Sequence, residues 1–117
     1  MSSSPTVRRG DVVIVRFDPA EGQELKKTRP AVVVQNDVGN KNASTTIVAP
    51  ATGTYRGYPF EVFVEAADSP FEKDSSVRLD QIRVVSLDDR VHSVAGNLDE
   101  STMAEVDAAL KLSLGLD

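Results

Sequence analysis

The chain has no cysteine, no tryptophan, a single histidine and only 5% aromatic residues. Each scarcity removes a class of chemistry. Without cysteine there is no disulfide, no thiolate metal site and no cysteine nucleophile. His92 alone cannot build a multi-histidine metal cage, and no acidic cluster has the spacing of a carboxylate-only cation site. No apolar run approaches a membrane span, and Met1-Ser2-Ser3-Ser4-Pro5 lacks the hydrophobic region of a signal peptide. The expectation is therefore a cytoplasmic protein with no membrane association. Few aromatics also count against an adapter that grips peptides in an aromatic-lined groove.

What is present describes a folded domain. At 117 residues, 40% hydrophobic and 26% charged, the chain is long enough for a core without staples. Residues 1–117 are expected to form one domain, with 1–9, Ser-rich and then basic, as a flexible N-terminal arm. A net charge of −5 argues against a general nucleic-acid binder. The charge is unevenly spread, however. Lys26, Lys27, Arg29, Arg56, Arg78 and Arg83 fall in three segments, whereas Asp88, Asp89, Asp99, Glu100, Glu105 and Asp107 lie toward the C-terminus. Convergence of the basic segments would create a local positive site on an acidic protein.

Hydrophobic periodicity predicts short strands. Asp11-Val12-Val13-Ile14-Val15-Arg16-Phe17 is rich in β-branched residues, and Asp18-Pro19-Ala20-Glu21-Gly22 breaks it. A second strand is expected at about 31–36, ended by the cluster Asn36-Asp37-Val38-Gly39-Asn40. Thr45-Thr46-Ile47-Val48-Ala49 reads as a third, stopped by Pro50. Phe60-Glu61-Val62-Phe63-Val64 is a fourth, and residues 76–80 and 82–85 are two more, after a polar loop over 68–75. Such spacing favours a small barrel or curled sheet. A helix capped by Asp99 or Ser101 follows, with Met103, Val106, Leu110 and Leu114 as its apolar stripe. The chain reads as α+β, mainly β, with a late helix.

Four places could carry chemistry. In the segment from Glu21 to Pro30, Pro30 pushes Arg29 toward extended backbone, so a planar, always-charged fork is presented at a strand entrance with Glu24 upstream. That arrangement suits a phosphate, and equally a solvated hairpin loop with a surface ion pair. Thr52 follows a strand end, where its hydroxyl can donate to a phosphate oxygen or bond its own backbone. Tyr55-Arg56-Gly57-Tyr58-Pro59-Phe60 interleaves aromatics with a cation, as single-strand binders do, though Phe60 also suits a core. Asp80-Gln81 can read a base edge or cap a turn. His92 reads as a surface histidine, because no carboxylate or second histidine is spaced to make it catalytic.

Taken together, Arg9-Gly10-Asp11-Val12-Val13, Phe17-Asp18-Pro19, Gly22-Gln23-Glu24, Thr28-Arg29-Pro30-Ala31-Val32-Val33, Val48-Ala49-Pro50-Ala51-Thr52, Gly57-Tyr58-Pro59-Phe60-Glu61-Val62 and Asp80-Gln81-Ile82-Arg83 resemble the MazF/PemK-like toxins of bacterial toxin–antitoxin modules. The resemblance runs over roughly residues 8 to 114. It implies a small SH3-like barrel with a C-terminal helix, a homodimer, and a metal-independent endoribonuclease acting on single-stranded RNA without a cofactor. It also implies neutralisation by a cognate MazE-like antitoxin whose acidic tail occupies the RNA groove. The family's catalytic arginine and threonine correspond to Arg29 and Thr52, and an upstream glutamate to Glu24. Lys26, Lys27, Thr28, Thr54, Arg56, Tyr58, Arg78, Asp80, Gln81 and Arg83 are the RNA-binding candidates on this reading. The chain departs from many relatives at Gly53-Thr54 and Ser75-Ser76, so the RNA word is the property least inherited. A non-catalytic CcdB-like toxin of the same fold, aimed at a protein target, is the alternative.

Overall fold

Asp11–Arg16 forms β1, and its burial is nearly continuous rather than alternating. Both faces are covered, which explains the unbroken β-branched run. Val12 packs into one core cluster with Val32, Val77, Leu79 and Val106, while Val13 and Val15 join Val33, Val48, Val85 and Leu87 in a second. The computed structural model describes residues 5–17 and 28–116. Residues 5–9, expected to be part of a loose arm, are tied down. Val7 is buried in the second cluster, the Arg9 amide donates to Asp37 Oδ1, and its Nε donates to the Val34 carbonyl.

Thr28–Val33 forms β2, antiparallel to β1 with Ile14 opposite Pro30 and Val15 opposite Arg29. The strand begins three residues before the expected 31, because Pro30 holds Arg29 extended and β1 is there to pair with it. The breaker cluster after it is a short helix, α1 (Asp37–Asn42), in which the Asn36 side chain accepts the Gly39 amide at 2.8 Å. β3 (Thr45–Thr52) continues through Pro50, where it was expected to stop. β4 (Glu61–Val64), a 3-10 turn (Ala66–Asp68), β5 (Ser75–Arg78) and β6 (Arg83–Ser86) follow.

β7 (Val91–Asn97) is a strand that hydrophobic patterning missed. Four consecutive residues, His92 to Ala95, are exposed, so the alternation that marks a strand is absent. Pairing with β1 makes it a strand nonetheless. Gly96 is required there by close approach: a Cβ would stand 2.8 Å from Pro70 Cγ.

The sheet runs β4-β5-β3-β2-β1-β7 with β6 also pairing to β3. It is the expected mainly-β class with a C-terminal helix, although the pairing path is open from β4 to β7 rather than a closed barrel. That helix, α2 (Glu100–Leu114), is capped by Asp99, which accepts the Thr102 amide, and ends at Gly115 in the left-handed region. Val106 and Ala109 are buried, with Met103 and Leu110 packed beside them. Leu114, expected in that stripe, is 52% exposed. Fifteen helical residues outrun the four-residue strand β4 that α2 packs on, and the buried residues of α2, Val106 and Ala109, lie before its last turn. Replacing Leu79 by Ala, a site 1% exposed, should therefore cost about 2–5 kcal/mol in urea unfolding. Leu114→Ala should stay within about 0.5 kcal/mol.

Candidate functional site

The site begins with two prolines in neighbouring strands. β2 and β3 pair as Val33 with Val48, Val32 with Ala49 and Ala31 with Pro50. The ladder ends at Pro30, which has no N–H to give. On its other edge β3 pairs with β6 through Val48 and with β5 from Ala51, so Pro50 falls where the partner changes and no donor is demanded. Carried two residues further, the β2–β3 register sets Arg29 across from Thr52, beyond the last paired residues.

A cavity of about 610 Å³ opens there. Thr28, Arg29 and Pro30 form one side, and Ala51, Thr52 and Gly53 another. Residues 70–75 close a third, over Val12, Ile14, Ser93 and Ala95. The Arg29 Nε is buried and finds no acceptor among the described residues. An N–H in that state is costly unless an acceptor arrives. The Thr52 hydroxyl makes only a long bond, 3.3 Å, to the Thr54 carbonyl, the local turn contact its position suggested. Lys73 lines the same cavity as a second cation, between Glu72 and Asp74. Nothing in its spacing from Arg29 marks it; only the fold of 66–74 against β7 brings it there.

The RNA-binding candidates scatter. Thr28 lines the cavity, and Thr54 stands beside it as the Thr52 acceptor. Tyr58 and Arg78 gather instead around Phe60, with Tyr58 stacked on that ring at 5.2 Å between centroids and Arg78 over it at 5.8 Å, while the Arg56 amide donates to Glu61. Asp80 grips Arg78 with two bonds of 3.0 and 2.8 Å, which raises the guanidinium pKa, and the Gln81 amide closes the turn onto the Arg78 carbonyl. The pair Asp80-Gln81 thus does cap a turn. Arg83 lies over Phe17 at 5.0 Å, on β6, which pairs with the opposite half of β3 from β5. Among the described residues, Arg29, Arg56, Arg78 and Arg83 accordingly do not converge in one cavity. His92 is exposed on β7. Glu24, Lys26 and Lys27 lie outside the described residues. Among the described residues, no three acidic or histidine side chains gather into a cation-binding group, and no helix is long and apolar enough to cross a membrane.

The fold and this cleft define a small β-rich domain with a C-terminal helix and a cavity at the end of the β2–β3 ladder. Residues 8–114 match the family of PemK-like, MazF-like toxins of type II toxin–antitoxin systems, and the chain belongs to that family. Its structure is similar to the MazF-mt6 toxin of Mycobacterium tuberculosis, with TM-score 0.77, 25% identity, and 92% of this chain and 98% of that one covered. It is also similar to MazF in a MazE–MazF complex from Deinococcus radiodurans, at TM-score 0.78, 25% identity and coverage of 97% and 99%. An endoribonuclease from a mycobacterial species shares the fold at TM-score 0.78 and 24% identity, covering 98% and 97%.

Beside the cleft, Glu61 is a carboxylate only 6% exposed. Desolvation pushes its pKa up, but the Ser76 hydroxyl at 2.7 Å, the amides of Arg56 and Tyr58, and the nearby Arg78 charge together hold it below the ordinary glutamate range. A depressed carboxylate stabilises the fold fully above its unfolded-state pKa and loses that contribution as pH falls through the folded-state value. Urea midpoints taken down through the acid range should fall for the native chain. In Glu61→Gln this component of the slope should be missing.

Proposed function

We propose that this chain is a sequence-specific endoribonuclease that cuts single-stranded RNA, mRNA included, and so arrests translation and growth. One observation carries the reading: a buried arginine N–H with no acceptor among the described residues lines the same cavity as a threonine hydroxyl whose one bond among those residues is long. RNA supplies its own nucleophile. The 2′-hydroxyl attacks the adjacent phosphorus, the bond to the 5′-oxygen breaks, and the products are a 2′,3′-cyclic phosphate and a 5′-hydroxyl. The protein need only remove the 2′ proton, return one to the leaving 5′-oxygen and stabilise the charge that grows on phosphorus.

Arg29 serves as the charge stabiliser, a planar, always-charged fork that matches phosphate oxygens. Thr52 donates to a non-bridging oxygen, exchanging its weak bond to Thr54 for a charge-assisted one. Glu24, carried over from the family resemblance, takes the 2′ proton or orients Arg29. Lys73, from the facing loop, adds a phosphate contact. No step calls for a metal. A homodimer, a cytoplasmic location and neutralisation by an antitoxin with an acidic tail complete the proposal. The MazE–MazF complex of similar fold supports the last of these.

Long single-stranded RNA incubated with the chain in EDTA should yield discrete fragments ending in 2′,3′-cyclic phosphate, while DNA of the same sequence survives for want of the 2′-hydroxyl. Arg29→Ala should lower the rate by about 10²–10³ with the fold retained, and Thr52→Ala should also slow it. Intact RNA alongside tight binding to a protein target would favour the non-catalytic alternative. For Glu24→Gln, loss of the acidic limb of the pH–rate profile marks the base, and an unchanged profile with a lower plateau marks orientation.

A further inference from the structure

Residues 53–60 leave Thr52 and return to β4, and a carboxylate lies beneath them. Register puts Ser76 opposite both Thr52 and Phe63, and Glu61 opposite Arg78, so these residues share the outer face of the β3–β5–β4 ribbon. Val62, Val64 and Val77 point the other way, into the core. The connection folds over this outer face, with Tyr55 against Phe63 at 5.4 Å and Tyr58 stacked on Phe60. Glu61 Oε1 accepts from the Ser76 hydroxyl at 2.7 Å and from the Arg56 amide at 3.2 Å, and Oε2 accepts from the Tyr58 amide at 3.2 Å. Two of the three donors are backbone groups of the connection itself. A group that merely satisfied the ribbon would not need them.

We propose that Glu61 is a positioning residue that sets the shape of residues 53–60, so that Tyr55, Arg56 and Tyr58 grip the substrate strand next to Thr52 while the chemistry stays in the cleft. Tyr55 and Tyr58 are 49% and 45% exposed, open faces on which unpaired bases can stack, and Arg56, between them in sequence, is exposed as well. The inference rests on the nuclease reading for its substrate class. It goes beyond that reading by giving binding and cleavage to different parts of the molecule, joined through one carboxylate.

The two tyrosines of the chain are both in this connection and there is no tryptophan, so tyrosine emission reports on it alone. Titration with a single-stranded DNA oligonucleotide, which cannot be cleaved, should quench that emission saturably. In Glu61→Gln one acceptor becomes an NH₂ facing a backbone donor. Half-saturation should then weaken about tenfold, the loss of one hydrogen bond to a charged group. KM for RNA should rise in step, with kcat held within about twofold. Glu61→Asp should recover part of the affinity. Unchanged half-saturation and KM in Glu61→Gln, or a loss confined to kcat, would overturn the proposal, as would a native chain whose emission no oligonucleotide quenches. Should Glu61→Gln fail to fold by far-UV circular dichroism, Ser76→Ala is read in its place: a smaller shift in the same direction supports the proposal and none overturns it. A native chain that leaves RNA intact but still binds DNA, more weakly as Glu61→Gln, would sink the nuclease reading and leave the positioning role standing.

Discussion

β3 has more partners than one strand ordinarily serves, and the cleft depends on how it changes between them. Its first half pairs with β6, its middle with β2, and its last two residues with β5. Such a changeover needs places where no ladder bond is demanded. Pro30 and Pro50 provide them, because neither has an N–H to leave unpaired. Where the β2–β3 ladder stops, Arg29 and Thr52 line a cavity instead of being sealed into sheet. The same changeover lets the outer face of β4 and β5 begin directly after Thr52, so the cleft and the tyrosine-bearing connection are neighbours.

Electrostatics then distinguish the cations. Arg78 is held by Asp80, Arg83 lies on Phe17, and Arg9 bridges to Asp107 at 2.8 Å, tying the N-terminal segment to α2. The Arg29 Nε has no such acceptor among the described residues and is buried. On a chain of net charge −5, one incompletely satisfied guanidinium in a half-enclosed cavity is a more selective anion site than a broad basic surface. The proposed toxin would be steered to RNA less by long-range attraction than by the fit of one scissile phosphate.

Much of the architecture was legible. β1 shows an unbroken β-branched run, β4 and the helix carry periodic signals, and Asp99 caps where its residue type predicts. Arg29 and Thr52 were also readable as candidates, since a pre-proline arginine and a threonine after an apolar strand are local features. The misreadings have a common cause. β3 was expected to stop at Pro50, β2 to start after Pro30, and β7 went unseen, because in each case pairing with a distant strand overrode a local rule. The stripe ending at Leu114 failed similarly: the helical period is correct, but the strand beneath is shorter than the helix. Lys73 and Glu61 carry no spacing signal at all, and both matter only through what the fold sets beside them.

Local chemistry, then, was decided by the sequence alone: which segments can be strands, where a helix is capped, which residues could meet a phosphate, and the absence of cysteine chemistry. These follow from backbone preference and side-chain type, which act over a few neighbours. Tertiary structure decided which guanidinium keeps a buried Nε with no acceptor among the described residues, where the sheet opens, and that a buried glutamate lies under the tyrosine loop. Those outcomes depend on non-local strand pairing, whose register is set by the burial of whole faces and cannot be read from any single segment.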